Sequence, residues 1–301
     1  MHCKSLREIY WRRITDKIAA KSMLITVAFA NSIVFLIALG LLVKSWPILT
    51  KKSIFHLLLS SSWHPLKGEF GFYPFIIGTL EVTAIAMILA IPVCLLSAIY
   101  LSEYAHRRLR DLTQLVIDIM AAIPSVIYGL WGVIVVVPFV RALGQALDTQ
   151  TTGYSLLAGG IILAIMVSPI IISVSMEVLR TVPVQARETA LALGTTKWEA
   201  IKHVVLRSAL HGIFSAIVLG FARAFGETIA VLMIVGNVPK VPTSIFDPAY
   251  PLPALLANNY GEMMSIPLYN SALLLSALIL LLVVSAFNVT AHLTLMRIER
   301  R

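Results

Sequence analysis

The sequence predicts an all-α, polytopic membrane protein with six transmembrane helices, and three observations predict it. Of its 301 residues, 58% are hydrophobic and 13% charged, with a mean hydropathy of +0.88. A soluble domain carries about a quarter charged residues, and a water-soluble fold of this length could not hide so much apolar surface. Six apolar segments are each long enough, as helices, to cross a hydrocarbon core about 30 Å thick. The basic residues are also sorted by side. Seventeen of the 24 Lys and Arg fall in the N-terminal segment, the turn after the second span, the loop after the fourth and the C-terminal segment; six fall in the alternate connections. That asymmetry places both termini in the cytoplasm. The net charge of +9 then belongs to cytoplasmic loops facing anionic membrane lipid, and no nucleic acid partner is expected.

Residues 1–22 form a cytoplasmic basic tail with Lys4, Arg7, Arg12, Arg13, Lys17 and Lys21. Residues 23–43 are the first transmembrane helix. The segment is longer than a signal-peptide apolar stretch and lacks a small-residue cleavage site after it. Lys44 to Gly71 reads as a polar and aromatic connection. Residues 72–295 hold the other five spans. These are Phe72 to Leu101 with Pro92 inside, Leu112 to Val140 with Pro124 inside, Tyr154 to Met176 with Pro169 inside, His211 to Val238, and Leu268 to Leu295. Pro239 to Pro267 is a proline-rich connection, and residues 296–301 are a cytoplasmic tail.

The loop at residues 182–210 is a polar island between two apolar segments. Pro183 suits the first turn of a helix, where its missing donor costs nothing. Glu188 and Ala190 continue that helix to Leu193. Gly194 sits where a helix end needs a residue tolerant of φ > 0. Thr196-Lys197-Trp198-Glu199 then has the spacing of a capping box, in which hydroxyl and carboxylate satisfy free N–H groups reciprocally. The loop therefore reads as helix, glycine turn, helix on the membrane surface.

Arg223 and Glu227 lie inside the fifth span. A helix beginning at His211 puts Arg223 about 18 Å along, near the midplane, where a guanidinium requires a partner. Glu227 follows four residues later, on the same helical face and in pairing reach. Two roles are open: an ion pair fixing helix packing, or a substrate path, since a guanidinium matches a tetrahedral oxyanion bidentately. Gly220 and Gly226 would let neighbouring helices come close. Glu81 and Asp118 sit near the starts of the second and third spans, where the helix dipole stabilises a carboxylate.

Enzyme chemistry has no footing. Gly-x-x-x-x-Gly-Lys-Ser/Thr, His-Glu-x-x-His and Gly-x-Ser-x-Gly are all absent, so no catalytic residue, metal ligand set or cofactor is expected in this chain. Cys3 and Cys94 are too far apart in character, one in the basic tail and one in a span, to form a disulfide framework. If ATP drives this protein, another chain binds it.

Glu188-Thr189-Ala190, then Gly194, then Ile201 resembles the "EAA" docking loop of ABC importer permeases. Thr189 stands in place of the usual Ala, and Arg207 in place of Pro, so the second helix is expected to run on. Gly220 to Val231, GFARAFGETIAV, resembles a stretch of phosphate ABC importer permeases. Trp63-His64-Pro65, Phe70 to Leu80, and Ile123 to Gly129 resemble others from the same family. Gly226-Glu227-Thr228 followed by Ile229-Ala230-Val231 favours the C-type subunits (PstC).

The resemblance implies a type I ABC importer permease fold and a subunit that lines a phosphate path. Its implied partners are a PstA-type second permease, two copies of a PstB-type ATPase that bind ATP and Mg, and an extracytoplasmic PstS-type phosphate-binding protein. Arg223 and Glu227 are then substrate-path residues. Glu188, Ala190, Gly194, Thr196, Lys197, Trp198 and Glu199 are then ATPase-coupling residues. The alternatives are another oxyanion (sulfate, molybdate or phosphonate), or a membrane scaffold or sensor for an ATPase that transports nothing.

Overall fold

Regular structure in residues 6–261 and 266–299, which the computed structural model describes, is helical apart from two isolated bridges, His64 with Glu69 and Gly236 with Ala249. Six helices are long and apolar enough to cross a membrane: Thr15–Lys51, Tyr73–Tyr104, Ser125–Ala146, Leu156–Thr181, Lys197–Phe225 and Pro267–Ala291.

Helix α1 (Leu6–Lys51) runs for 46 residues, about 69 Å at helical rise. It starts inside the expected basic tail and continues eight residues past Val43, with Pro47 inside it. The connection expected over Lys44 to Gly71 is shorter by that much. No glycine interrupts Val43 to Lys51, and Ser45 and Thr50 fold their hydroxyls back onto the Leu42 and Pro47 carbonyls (3.1 Å each) rather than capping a new helix. Leu24, Phe35 and Leu36 on α1 are exposed, as suits a peripheral lipid-facing span. After α2 (Ile54–Leu59), Trp63 packs edge-on against Phe70 and Phe75, with ring centroids 5.6 and 4.8 Å away. Ile48, Leu57 and Phe72 complete this apolar cap.

Helix α3 (Tyr73–Ile99) passes Pro92 without breaking and ends in a π turn, Tyr100–Tyr104. The next element corrects the expected third span. Helix α4 (Arg107–Ala122) stops at Ile123, which is extended (φ −66°, ψ 126°), and a new helix starts after Pro124. A proline has no N–H and disfavours helical backbone in the residue before it, so the apolar run from Leu112 to Val140 is two helices. Asp118 thus lies near the end of α4 rather than at a helix start, and takes a hydrogen bond from Gln114 Nε2 (2.8 Å). The span itself is α5 (Ser125–Trp131), a π turn Gly132–Val136, and α6 (Val137–Ala146).

Helix α7 (Leu156–Thr181), with Pro169 inside, is the central element and packs along α3. A Cβ on Gly159 would stand 2.9 Å from Val82 and from Val235, so the absence of side chains there sets the close approach. The loop helices α8 (Val184–Ala192) and α9 (Lys197–Ala200) follow. A π turn Ile201–Val205 then leads without a break into α10 (Leu206–Phe225). Helix α10 packs on α7 where Gly220 meets Ile171 (2.6 Å to an ideal Cβ).

The fifth span is also corrected. It begins earlier, at Lys197, and ends at Phe225; Gly226 to Thr228 leave the helix, and α11 (Ile229–Ile234) begins anew. The connection after it holds α12 (Leu252–Asn259), and α13 (Pro267–Glu299) closes the chain against α1.

Candidate functional site

The loop at residues 182–210 folds as its spacing predicts, with one shift. Pro183 caps α8 from outside (φ −57°, ψ 138°) instead of opening its first turn. Gly194 has φ +85°, and an ideal Cβ there would meet nothing within 4 Å, so the site is open and only its backbone is special. The turn is closed by Gly194 N donating to Leu191 O (3.0 Å) and Thr195 Oγ1 to Ala190 O (2.8 Å). The capping box is complete. Thr196 N donates to Glu199 Oε2 (2.8 Å), and Glu199 N donates to Thr196 Oγ1 (3.3 Å).

Ala190 is buried under the loop, whereas Glu188, Leu193 and Trp198 are exposed, Leu193 at 80%. The loop thus presents an acidic and apolar ridge to the side that carries the basic turn after α3. Among the described residues neither Glu188 nor Trp198 makes a side-chain hydrogen bond, ion pair or ring contact.

The sequence reading missed what holds the loop down. Glu103, in the π turn that ends α3, accepts from Arg187 Nη2 at 3.1 Å, and its side chain is 6% exposed. The same Arg187 nitrogen donates to Leu179 O at the end of α7 (2.6 Å). Lys197 Nζ donates to Glu103 O (2.6 Å) and lies 4.4 Å from the centre of the Tyr104 ring. A lone Glu in a turn of three arginines was the available signal.

The second expected site is rearranged. Arg223 lies in the last turn of α10, and Glu227 lies beyond Gly226, off the helix. The four-residue spacing therefore places nothing on a shared face, and no ion pair within 4.0 Å joins the two among the described residues. Arg223 is exposed on this chain and Glu227 half-buried. A cation at a helix C-terminus is favoured by the unpaired carbonyls there. Arg223 is also in electrostatic reach of Tyr128 on α5.

The two breaks meet. A Cβ on Gly129 of α5 would stand 3.2 Å from Ala230 Cα and 2.6 Å from Met233 Sδ on α11. Helices α5 and α11 therefore pack side by side, with Arg223 at the end of α10 in electrostatic reach of Tyr128. Non-helical backbone at membrane depth is tolerated where protein or a water-filled cavity satisfies it.

The opposite end of the bundle carries the segment after α11. Asp247 Oδ2 accepts from Thr243 N, Thr243 Oγ1 and Ser244 N (2.9, 2.8 and 3.0 Å), and these bonds hold its carboxyl below the usual Asp value. Leu156 N and Leu157 N donate to Asp247 O and Ile245 O, which pins the segment over the start of α7. Beneath it, a cavity of about 250 Å³ is lined by Glu81, Ile85, Pro242 and Ile245. Glu81 lies eight residues into α3, not at its start, and its Oε2 is buried with no hydrogen-bond partner among the described residues.

A family model described as the binding-protein-dependent transport system inner membrane component matches residues 90–301. The phosphate transport system permease protein PstC of Xylella fastidiosa (strain Temecula1) is 38% identical over 257 residues, 80% of this chain and 79% of that protein. PstC of Mesorhizobium japonicum is 35% identical over 280 residues, 88% of this chain and 85% of that one. Among solved structures, a bacterial alginate ABC transporter in complex with a pentasaccharide-bound periplasmic protein superposes with a TM-score of 0.61. It is 14% identical and covers 93% of this chain and 95% of that one. The inward-facing MetNI methionine ABC transporter gives 0.58 at 17% identity, over 79% and 99%. Those two likenesses show the ABC importer permease fold. With six spans and these relatives, the chain belongs to the binding-protein-dependent transport system inner membrane components.

Proposed function

We propose that this chain is the transmembrane permease subunit of an ATP-driven phosphate importer. The observation that carries the reading is its identity to PstC proteins over four fifths of its length or more. It lines the translocation path with a PstA-type permease and receives phosphate from a PstS-type binding protein. A PstB-type ATPase dimer beneath it holds ATP and Mg. The termini and the docking loop face the cytoplasm, as the basic residues suggest. The contact of Lys197 and Arg187 with Glu103 supports that sorting, because it puts two of the basic segments on one side.

Glu188, Ala190, Gly194, Thr196, Lys197, Trp198 and Glu199 divide into three roles in this reading. Glu188 and Trp198 contact the ATPase. Gly194, Thr196 and Glu199 shape the turn that presents them. Ala190 and Lys197 seat the loop on the membrane domain. Arg223, exposed at the end of α10 beside the junction of α5 and α11, meets the phosphate. Glu227 lines the same path without pairing to it. The test is uptake of radiolabelled phosphate by liposomes containing this chain with PstA- and PstB-type partners and the binding protein. Competition by phosphate but not sulfate or molybdate is expected; uptake of another oxyanion in preference would overturn the cargo.

A further inference from the structure

Glu103 is gripped twice, once by each helix of the docking loop. Its carboxylate takes Arg187 of α8, and its main-chain carbonyl takes Lys197 of α9. The carbonyl is available for a local reason. The π turn closes with Ala105 N donating to Tyr100 O (2.9 Å), so the carbonyls of the last turn have no helical partner, and their partial negative charge attracts a cation. The carboxylate has almost no solvent, and Ser102 Oγ adds a second donor to Oε1 (3.3 Å). Withdrawing Arg187 would leave a nearly buried charge unpaired, which strongly resists sliding of the loop against α3. Apolar contact reinforces the grip, since Leu101 shares a buried cluster with Ile201, Val205 and Leu179.

The other end of α3 bears on the opposite face of the bundle. Leu252 N donates to Thr79 Oγ1 (2.9 Å). A Cβ on Gly78 would stand 3.4 Å from Ala249. Glu81 and the Pro242 to Ile245 segment line the same cavity. From Gly78 to Glu103 the chain is one helical rod of about 37 Å, tied to the docking loop at one end and to the segment before α12 at the other.

We propose that Glu103 is the positioning residue through which displacement of the docking loop by the ATPase moves α3 as a rod, and with it Glu81, against the Pro242–Ile245 segment that α7 holds. This rests on the reading of residues 188–199 as an ATPase dock and does not depend on the cargo being phosphate.

Ile245, 48% exposed, is the reporter. The assembled complex carries Ile245→Cys, with Cys3→Ser; Cys94 is buried. The rate of reaction with a membrane-impermeant maleimide is measured with and without ATP plus vanadate. With Glu103 intact, trapping the nucleotide is expected to change the rate about fivefold or more, the usual scale of coupling between sites. Glu103→Gln should reduce that change to under about twofold while the ATPase still copurifies. Lys197→Met, at an exposed position, should give an intermediate loss, and it decides the matter if Glu103→Gln does not assemble. A change in the variants equal to that with Glu103 intact, or no response to nucleotide at all, overturns the proposal. Absence of phosphate uptake with the reporter response preserved would remove the cargo reading alone.

Discussion

The Tyr128 hydroxyl donates to the Met120 carbonyl at 2.9 Å, across the break at Pro124. It is a second donor to a carbonyl that already accepts from Ile123 N (3.3 Å) at the end of α4, and so ties α5 to α4 across the break. Tyr128→Phe keeps the ring and removes the donor. We expect a loss of about 1 kcal/mol in thermal stability, the usual net value of one hydrogen bond. Phosphate uptake should fall further than stability does, because the same hinge places the start of α5 beside α11. Unfolding midpoints and uptake measured on the same preparation separate the two.

Gly194 distinguishes backbone from space. Gly194→Ala meets no neighbour and bears only the left-handed backbone, about 1–2 kcal/mol. Gly194→Pro cannot take φ +85° at all and also removes the bond to Leu191 O. ATPase copurification should drop mildly for Ala and severely for Pro. Equal retention in both would end the docking role.

Arg223 and Glu227 do not pair, so their substitutions should not behave as two halves of one bridge. Arg223→Gln is expected to assemble with normal yield and abolish uptake, and Arg223→Lys, which loses the planar fork, to transport only in part. Glu227→Gln should be milder. Uptake that falls only in step with assembly, for both, would make the pair structural.

Topology is open to a direct check. Cysteines at Lys51 and Lys197 should react with an impermeant reagent from opposite sides, Lys51 outside and Lys197 inside. The reverse pattern would invert the chain.

Asp247 gives a pH signature. Its carboxyl is held below the ordinary Asp value of 3.8 by Thr243 and Ser244, so the folded state favours the charged form. The stabilisation is complete above that ordinary value and disappears as pH falls through the lowered one. The melting difference between the native chain and Asp247→Asn should therefore be present at neutral pH and shrink in acid. A difference that grows in acid would contradict the assignment.

What was legible in the sequence was local. Span number, the glycine turn and the capping box follow from hydropathy and from spacings of three or four residues, and all are present. The break after α4 was not legible because hydropathy is continuous across Ile123; the polar dip at Gly226 to Thr228, which marks the break after α10, was read as a charge carried inside a continuing helix. Pro92 and Pro169 lie inside unbroken helices, so Pro124 gave no unique warning. The pairing of Arg223 with Glu227 failed for the same reason: an i, i+4 argument presumes the helix continues. Glu103 was missed because its partner Lys197 lies 94 residues away in sequence, and no periodicity reports a contact of that range.

The bond from Lys197 reaches the main chain of residue 103, not its side chain. The acceptor is therefore present whatever side chain stands at 103, so long as the turn is kept. Half of the attachment is immune to mutation there, while the other half, the Arg187 contact, can be strengthened or weakened one residue type at a time. In the proposed coupling, side-chain changes at 103 therefore tune what passes from the loop to α3 while the Lys197 bond goes on holding the loop to the same turn.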